Sequence, residues 1–249
     1  AARGRALAEG FVQSLTMGAG QFCTNPGLVI AVEGADLDAF VAAAAEVMQG
    51  SAPQTMLSPS IHDNFAKGVS ALAAHAAVET IARGQSETGA NQAVAALFQT
   101  TAAEFLADIA LSHEVFGSSS VIVRCQDLGE VAKVIASLEG QLTATLQLDD
   151  GDIEAARALL PVLADRVGRV LANGWPTGVE VAHAMVHGGP YPATSDGRTT
   201  SVGTLAIHRF LRPVAFQNLP AALLPAGIAD ENPWGVARRV DGLRAGSPR

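Results

Sequence analysis

Leu7, Phe11 and Leu15 recur every four positions between Arg3 and Met17, so the chain opens on an amphipathic helix that stops at Gly18 and Gly20. Gly27 to Val32 is a short, continuous apolar run, the pattern of a strand buried on both faces of a parallel sheet. Asp36 is placed to cap a helix over Leu37 to Gln49, ended by Gly50. Ser58-Pro59-Ser60 opens a longer helix, with Ile61, Phe65, Val69, Leu72 and Ala76 in helical period as far as Arg83 and Gly84. Beyond a loop at Gly89 to Gln92, Ala93 to Thr101 and Ser120 to Cys125 read as extended, with a helix over Leu128 to Leu138. Leu142 to Leu148 reads as a further strand. Asp149 to Asp152 then cap a helix over Ile153 to Val167, where carboxylates favour the positive end. Val170 to Ala172 returns to the sheet.

Strands and helices alternating through short connections predict right-handed crossovers and an α/β fold, a mostly parallel sheet covered by helices. From Asn173 the pattern gives way to Gly- and Pro-rich loop, with one late strand predicted over Arg209 to Gln217. No repeat or low-complexity linker divides the chain. It reads as one domain over 1–249, of which 173–249 is a loop-rich C-terminal arm.

A chain of 249 residues, 49% hydrophobic, can bury a large core. The net charge of −8 with scattered basic residues argues against a nucleic-acid partner. Glu33, Asp36, Asp38 and Glu46 break up the most alanine-rich region, so no stretch is apolar for the roughly 18 residues that a membrane span needs. The first ten residues have neither an initiator methionine nor the apolar core of a signal peptide, which places the expected N-terminus upstream. Two cysteines without a disulfide framework point to a reducing compartment, the cytoplasm by default.

One of those cysteines sits in the segment from Gly18 to Gly27, a bend between two apolar stretches. Glycines and a proline there let backbone amides approach whatever the sulfur attacks, the setting that a cysteine nucleophile needs. A small inert thiol in a tight turn is the alternative. Cys125 ends an apolar strand and reads as such a buried thiol. His183 and His187 are four apart, as two helical metal ligands would be, but no glutamate follows the first and Gly188-Gly189-Pro190 would end any helix, so no metal site is expected. Gly18-Ala19-Gly20 lacks the preceding strand of a dinucleotide fingerprint.

Gly20, Gln21, Cys23, Thr24, Pro26 and Gly27 together resemble the Gly-Gln-x-Cys-Thr-x-Pro-Gly nucleophile loop of the aldehyde dehydrogenase superfamily. Glu114-Val115-Phe116-Gly117 resembles its Glu-x-Phe-Gly motif, with Ser118 where the usual proline would follow. The resemblance is closest to the α-ketoglutarate semialdehyde (2,5-dioxovalerate) dehydrogenase branch. It is carried by Phe98-Gln99-Thr100-Thr101, by Phe105-Leu106-Ala107-Asp108, by Asn173 to Val179 and by His187 to Thr194.

The resemblance implies that Cys23 attacks an aldehyde to form a thiohemiacetal, its oxyanion held by backbone N–H groups around Cys23 and Thr24. Hydride then passes to NAD or NADP, and water cleaves the thioester. Glu114 would accept from the nicotinamide ribose hydroxyls and Phe116 would place the ring; singly, they would read as a solvated loop charge and a core anchor. Phe22, Thr24, Trp175, Pro176 and Thr177 would line the aldehyde channel, with core packing the alternative for Trp175. The substrate implied is a small aldehyde, 2-oxoglutarate semialdehyde, and the whole protein would be a homo-oligomer.

Members of the superfamily carry a glutamate base in a Glu-Leu-Gly-Gly type motif, an asparagine oxyanion donor and a nucleotide-binding domain upstream of the cysteine helix. Only Glu9 precedes Cys23 here, in Ala8-Glu9-Gly10, so the chain is expected to be the catalytic portion and inactive alone. A stand-alone binding domain derived from such an enzyme is the alternative. A thiol hydrolase built on Cys23 is weaker, because no motif places a His and Asp pair beside it.

Overall fold

The computed structural model describes residues 3–244, which fall into two compact units divided between Arg209 and Phe210. In the first unit, helix α1 (Gly4–Thr16) leads through a tight turn into strand β1 (Leu28–Val32) and helix α2 (Ala35–Gln49). Next come β2 (Gln54–Thr55), α3 (Pro59–Ala74), β3 (Glu79–Arg83), β4 (Gln92–Ala93), β5 (Ala96–Thr101) and α4 (Ala102–Ala107). The unit continues with β6 (Ser119–Cys125), α5 (Leu128–Ser137), β7 (Gln141–Leu146), α6 (Ile153–Ala164) and β8 (Val167–Ala172).

The central sheet has the order β1-β6-β5-β3, with β6 parallel to both β1 and β5 and only β3 antiparallel. The fold is thus α/β, as the alternating pattern predicts. Phe11, Leu15, Leu37 and Met48 of α1 and α2 close one face over Leu97 and Ile122. Phe65, Val69, Phe105, Val131 and Val134 close the other over Phe98, Val121 and Val123. Side chains of β5 and β6 alternate between the two layers, so both faces of each strand are dry.

Four expectations are corrected. The helix opened by the Ser58 cap ends at Ala74 rather than Arg83: His75 leaves helical geometry, and its Nδ1 accepts from the Ala77 N–H at 3.2 Å. The Glu79 to Arg83 stretch that follows pairs antiparallel with β5, so sheet pairing overrides helical period. The helix from Ile153 ends at Ala164, because Val167 opens β8. Strand β8 pairs only with β7, as a separate parallel ladder, where a return to the main sheet was expected. A cleft of about 650 Å³ lies between them, lined by β1 and β7 and by residues of α2 and α6.

The strand expected over 209–217 does not form. Residues 204–210 make a 3-10 turn and 211–217 have no regular structure; Pro213 has no N–H to give a ladder. Asn173 to Arg209 belongs to the first unit. The second unit holds a short antiparallel pair, β9 (Arg239–Val240) and β10 (Leu243–Arg244), and an Arg238 guanidinium that donates to the Ala229 and Asp230 carbonyls at 2.6 Å each.

Candidate active site

Cys23 and Thr24 are the central residues of a turn closed by the Asn25 N–H donating to the Phe22 carbonyl at 3.1 Å. This lifts the Cys23 side chain into solvent between α1 and β1, while Thr24 is buried. Neither the Cys23 nor the Thr24 N–H is taken up by a hydrogen bond among the described residues. Two free N–H groups beside an exposed sulfur can receive a developing oxyanion.

Two contacts fix this turn to the Glu114 to Gly117 segment. Gly20, at φ +69°, packs so closely that a Cβ there would overlap the Gly117 carbonyl and the Ser118 nitrogen. Asn25 Nδ2 donates to the Gly117 carbonyl at 2.8 Å. The two sequence motifs are therefore joined by one main-chain contact and one side-chain hydrogen bond. Val115 packs against α3 at Gly68, whereas Glu114 and Phe116 on either side of it are exposed. The Glu114 carboxylate has no hydrogen-bond or ion-pair partner among the described residues, and Phe116 leaves 40% of its surface open.

The loop after β8 forms the third wall. The Pro176 carbonyl accepts from Thr24 Oγ1 at 2.8 Å and from Arg169 Nη2 at 3.0 Å, and Arg169 Nη1 donates to the Gly178 carbonyl at 3.1 Å. The Thr177 hydroxyl bonds to that of Ser14 on α1. The Trp175 ring lies 5.3 Å from that of Phe11, over Gly10, and so packs on α1. Phe22 folds back on Gly18 with 38% of its surface exposed.

His187 is the residue that sequence reasoning missed here. Its Nε2 lies 3.2 Å from Cys23 Sγ, across 164 residues of chain. The His187 N–H donates to Thr200 Oγ1 at 2.8 Å, and its carbonyl accepts from the Ser201 N–H at 3.1 Å. A close approach of backbone carries the segment past β8, where a Cβ on Gly168 would overlap the Gly188 carbonyl. Burial, and then the charge of Arg169, hold the His187 pKa below the usual histidine value. His183 turns elsewhere, its Nδ1 2.7 Å from Thr204 Oγ1, so the two histidines do not converge. Cys125 is fully buried at the end of β6; desolvation first, then Glu130, Glu33 and Asp127, raise its pKa to about 11.

An exposed thiol in a turn at the edge of an α/β sheet thus lies next to a segment that carries an unpaired carboxylate and an open aromatic ring. The chain belongs to the aldehyde dehydrogenase family, whose model matches residues 2–210. It is 54% identical over 242 residues to alpha-ketoglutaric semialdehyde dehydrogenase 2 of Azospirillum brasilense, a match covering 97% of this chain and 46% of that protein. The alpha-ketoglutaric semialdehyde dehydrogenase of Acinetobacter baylyi is 44% identical over 243 residues, with the same coverage. The chain thus spans about half the length of the curated relatives it matches. A solved point variant of betaine aldehyde dehydrogenase from Staphylococcus aureus, in complex with NAD+, has the same fold at a TM-score of 0.66. That match covers 82% of this chain and 41% of the other at 13% identity. Among the described residues no helix is long and apolar enough to cross a membrane.

Proposed function

We propose that this chain is the catalytic portion of an NAD(P)-dependent aldehyde dehydrogenase, with Cys23 as nucleophile and 2-oxoglutarate semialdehyde as the substrate. The observation that carries the reading is the junction of the Cys23 turn with the Glu114 to Gly117 segment, through Gly20 and the Asn25 side chain. The named function of the two relatives at 54% and 44% identity supports the choice of aldehyde.

Sγ of Cys23 forms a bond to the aldehyde carbon, and the oxygen that takes up the electron pair meets the free N–H groups of Cys23 and Thr24. A bound nicotinamide would supply the acceptor for the hydride that the adduct gives up. An unpaired carboxylate at Glu114 suits two adjacent ribose hydroxyls, and the open face of Phe116 suits a flat ring, so the residues present fit such a cofactor. Water then cleaves the Cys23 thioester, releasing carboxylate and thiol. Phe22, Thr24, Pro176 and Thr177 form the aldehyde side, with Trp175 fixing the loop from behind. The nucleotide-binding segment, and the glutamate base that the family resemblance implies for cleavage of the thioester, would lie in the part of the relatives' length that this chain does not span. A homo-oligomeric whole protein is supported by large apolar side chains exposed on the second unit, among them Phe210 and Trp234.

In the full-length protein Cys23→Ala should abolish aldehyde-dependent NAD(P)H formation and Cys125→Ala should retain most of it. Normal turnover by the Cys23 variant would sink the reading.

A further inference from the structure

We propose that His187 is the general base for Cys23: its neutral imidazole takes the thiol proton at Nε2 while the sulfur attacks. The inference rests on Cys23 being the nucleophile, and it adds a catalytic residue to that reaction. The geometry is a direct contact, Sγ to Nε2 at 3.2 Å, with the ring held from behind by the Thr200 and Ser201 anchors on the His187 backbone. A base within hydrogen-bond reach of the proton it abstracts is the first requirement of such a role.

The surroundings decide which kind of pair this is. Nδ1 of His187 is buried and has no hydrogen-bond partner among the described residues, so no carboxylate stands behind the ring as in a triad. The charged group that acts on the ring is Arg169 on β8, the Cys23 turn contributes the sulfur, and the Thr200 and Ser201 hydroxyls bond the His187 backbone N–H and carbonyl. Burial and a neighbouring cation both disfavour imidazolium, so the resting imidazole is neutral and Nε2 is open to a proton. The proton moves on demand. The S–H bond breaks as the S–C bond forms, the C=O pair moves onto oxygen, Nε2 holds the proton, and the short-lived imidazolium returns it to solvent water.

The test is the rate of alkylation of Cys23 by iodoacetamide in the full-length protein, read by peptide-level mass spectrometry from pH 5 to 9, a reaction that needs neither aldehyde nor cofactor and expels only iodide. For the wild type we expect the rate to fall as pH drops through the depressed His187 pKa and to level off above it. A thiol that must ionise unaided would instead climb about tenfold per pH unit up to its own pKa. In His187→Asn the plateau should vanish and the rate at pH 7 should fall by about tenfold or more, with partial recovery on adding free imidazole. A merely structural histidine would give no such rescue. An unaided climb in the wild type overturns the proposal even if the variant does not fold, and so does a variant rate within about twofold of wild type at pH 7. Aldehyde oxidation is measured separately. If it is intact while alkylation is independent of His187, the base falls and the dehydrogenase stands; if it is absent while alkylation depends on His187, the base stands and the dehydrogenase falls.

Discussion

The Thr24 hydroxyl donates to the Pro176 carbonyl at 2.8 Å, tying the residue after Cys23 to the loop that follows β8. That carbonyl also receives Arg169, so Thr24→Val leaves it with one donor while keeping the buried shape. The expected loss is about 1 kcal/mol. A thermal melt should show it as a fall of roughly 2–4 °C. An unchanged melting temperature would mean that the bond contributes nothing net.

Gly20→Ala should be far more costly. The residue is at φ +69°, and its Cβ would enter the Gly117 peptide, which is backbone and cannot swing aside. A destabilisation of about 2–4 kcal/mol is expected in urea titration. Gly27→Ala is the control, because nothing lies within 4 Å of a Cβ there.

Glu114→Gln preserves size and removes the charge from an exposed, unpaired carboxylate. If that carboxylate holds ribose hydroxyls, the full-length variant should lose about 1.5–3 kcal/mol of cofactor interaction, roughly a 10- to 150-fold rise in the cofactor KM or fall in turnover. The KM for aldehyde should move little. Unchanged cofactor kinetics would remove Glu114 from the site.

Cys125 should resist alkylation where Cys23 reacts. It is fully buried and its pKa is raised to about 11, so at pH 8 on the order of one thiol in a thousand is ionised. Peptide mass spectrometry after brief iodoacetamide treatment should find Cys23 modified first. Faster modification of Cys125 would reverse the assignment of the two thiols.

Stability should depend on pH through His187. Its folded pKa is depressed, so between that value and the unfolded value of about 6.5 the unfolded chain binds the extra proton, and stability rises with pH across this window. Conversely, acidification below about pH 6.5 destabilises the fold until the folded pKa is passed. His187→Asn should flatten that part of a stability-against-pH curve from urea midpoints. A slope of unchanged steepness would assign the acid sensitivity to other groups.

The sequence was legible where chemistry and geometry are both local. The Cys23 turn and the Glu114 to Gly117 segment are each contained in a few consecutive residues, and the strand over Ser120 to Cys125 stood out because both its faces are apolar and buried. The helix after Ser58 was overextended because Ala76 keeps helical phase, whereas strand pairing with β5 is a long-range fact. The contact of His187 with Cys23 leaves no local trace. Its spacing from His183 points instead to a helix that does not exist, and the residues that orient it, Thr200 and Ser201, sit in a stretch without regular pattern. The separate β7–β8 ladder was equally hidden, since a parallel strand does not announce its neighbour.

The junction of Gly20 with Gly117 has a consequence for how such a site can diversify. Because the Gly20 contact with the Gly117 peptide is main chain against main chain, side chains around the sulfur such as Phe22 and Thr177 can change without altering the spacing between the Cys23 turn and the Glu114 to Gly117 segment. On the function proposed above, substrate preference can then drift one side chain at a time, over a chassis that the chemistry itself never has to renegotiate.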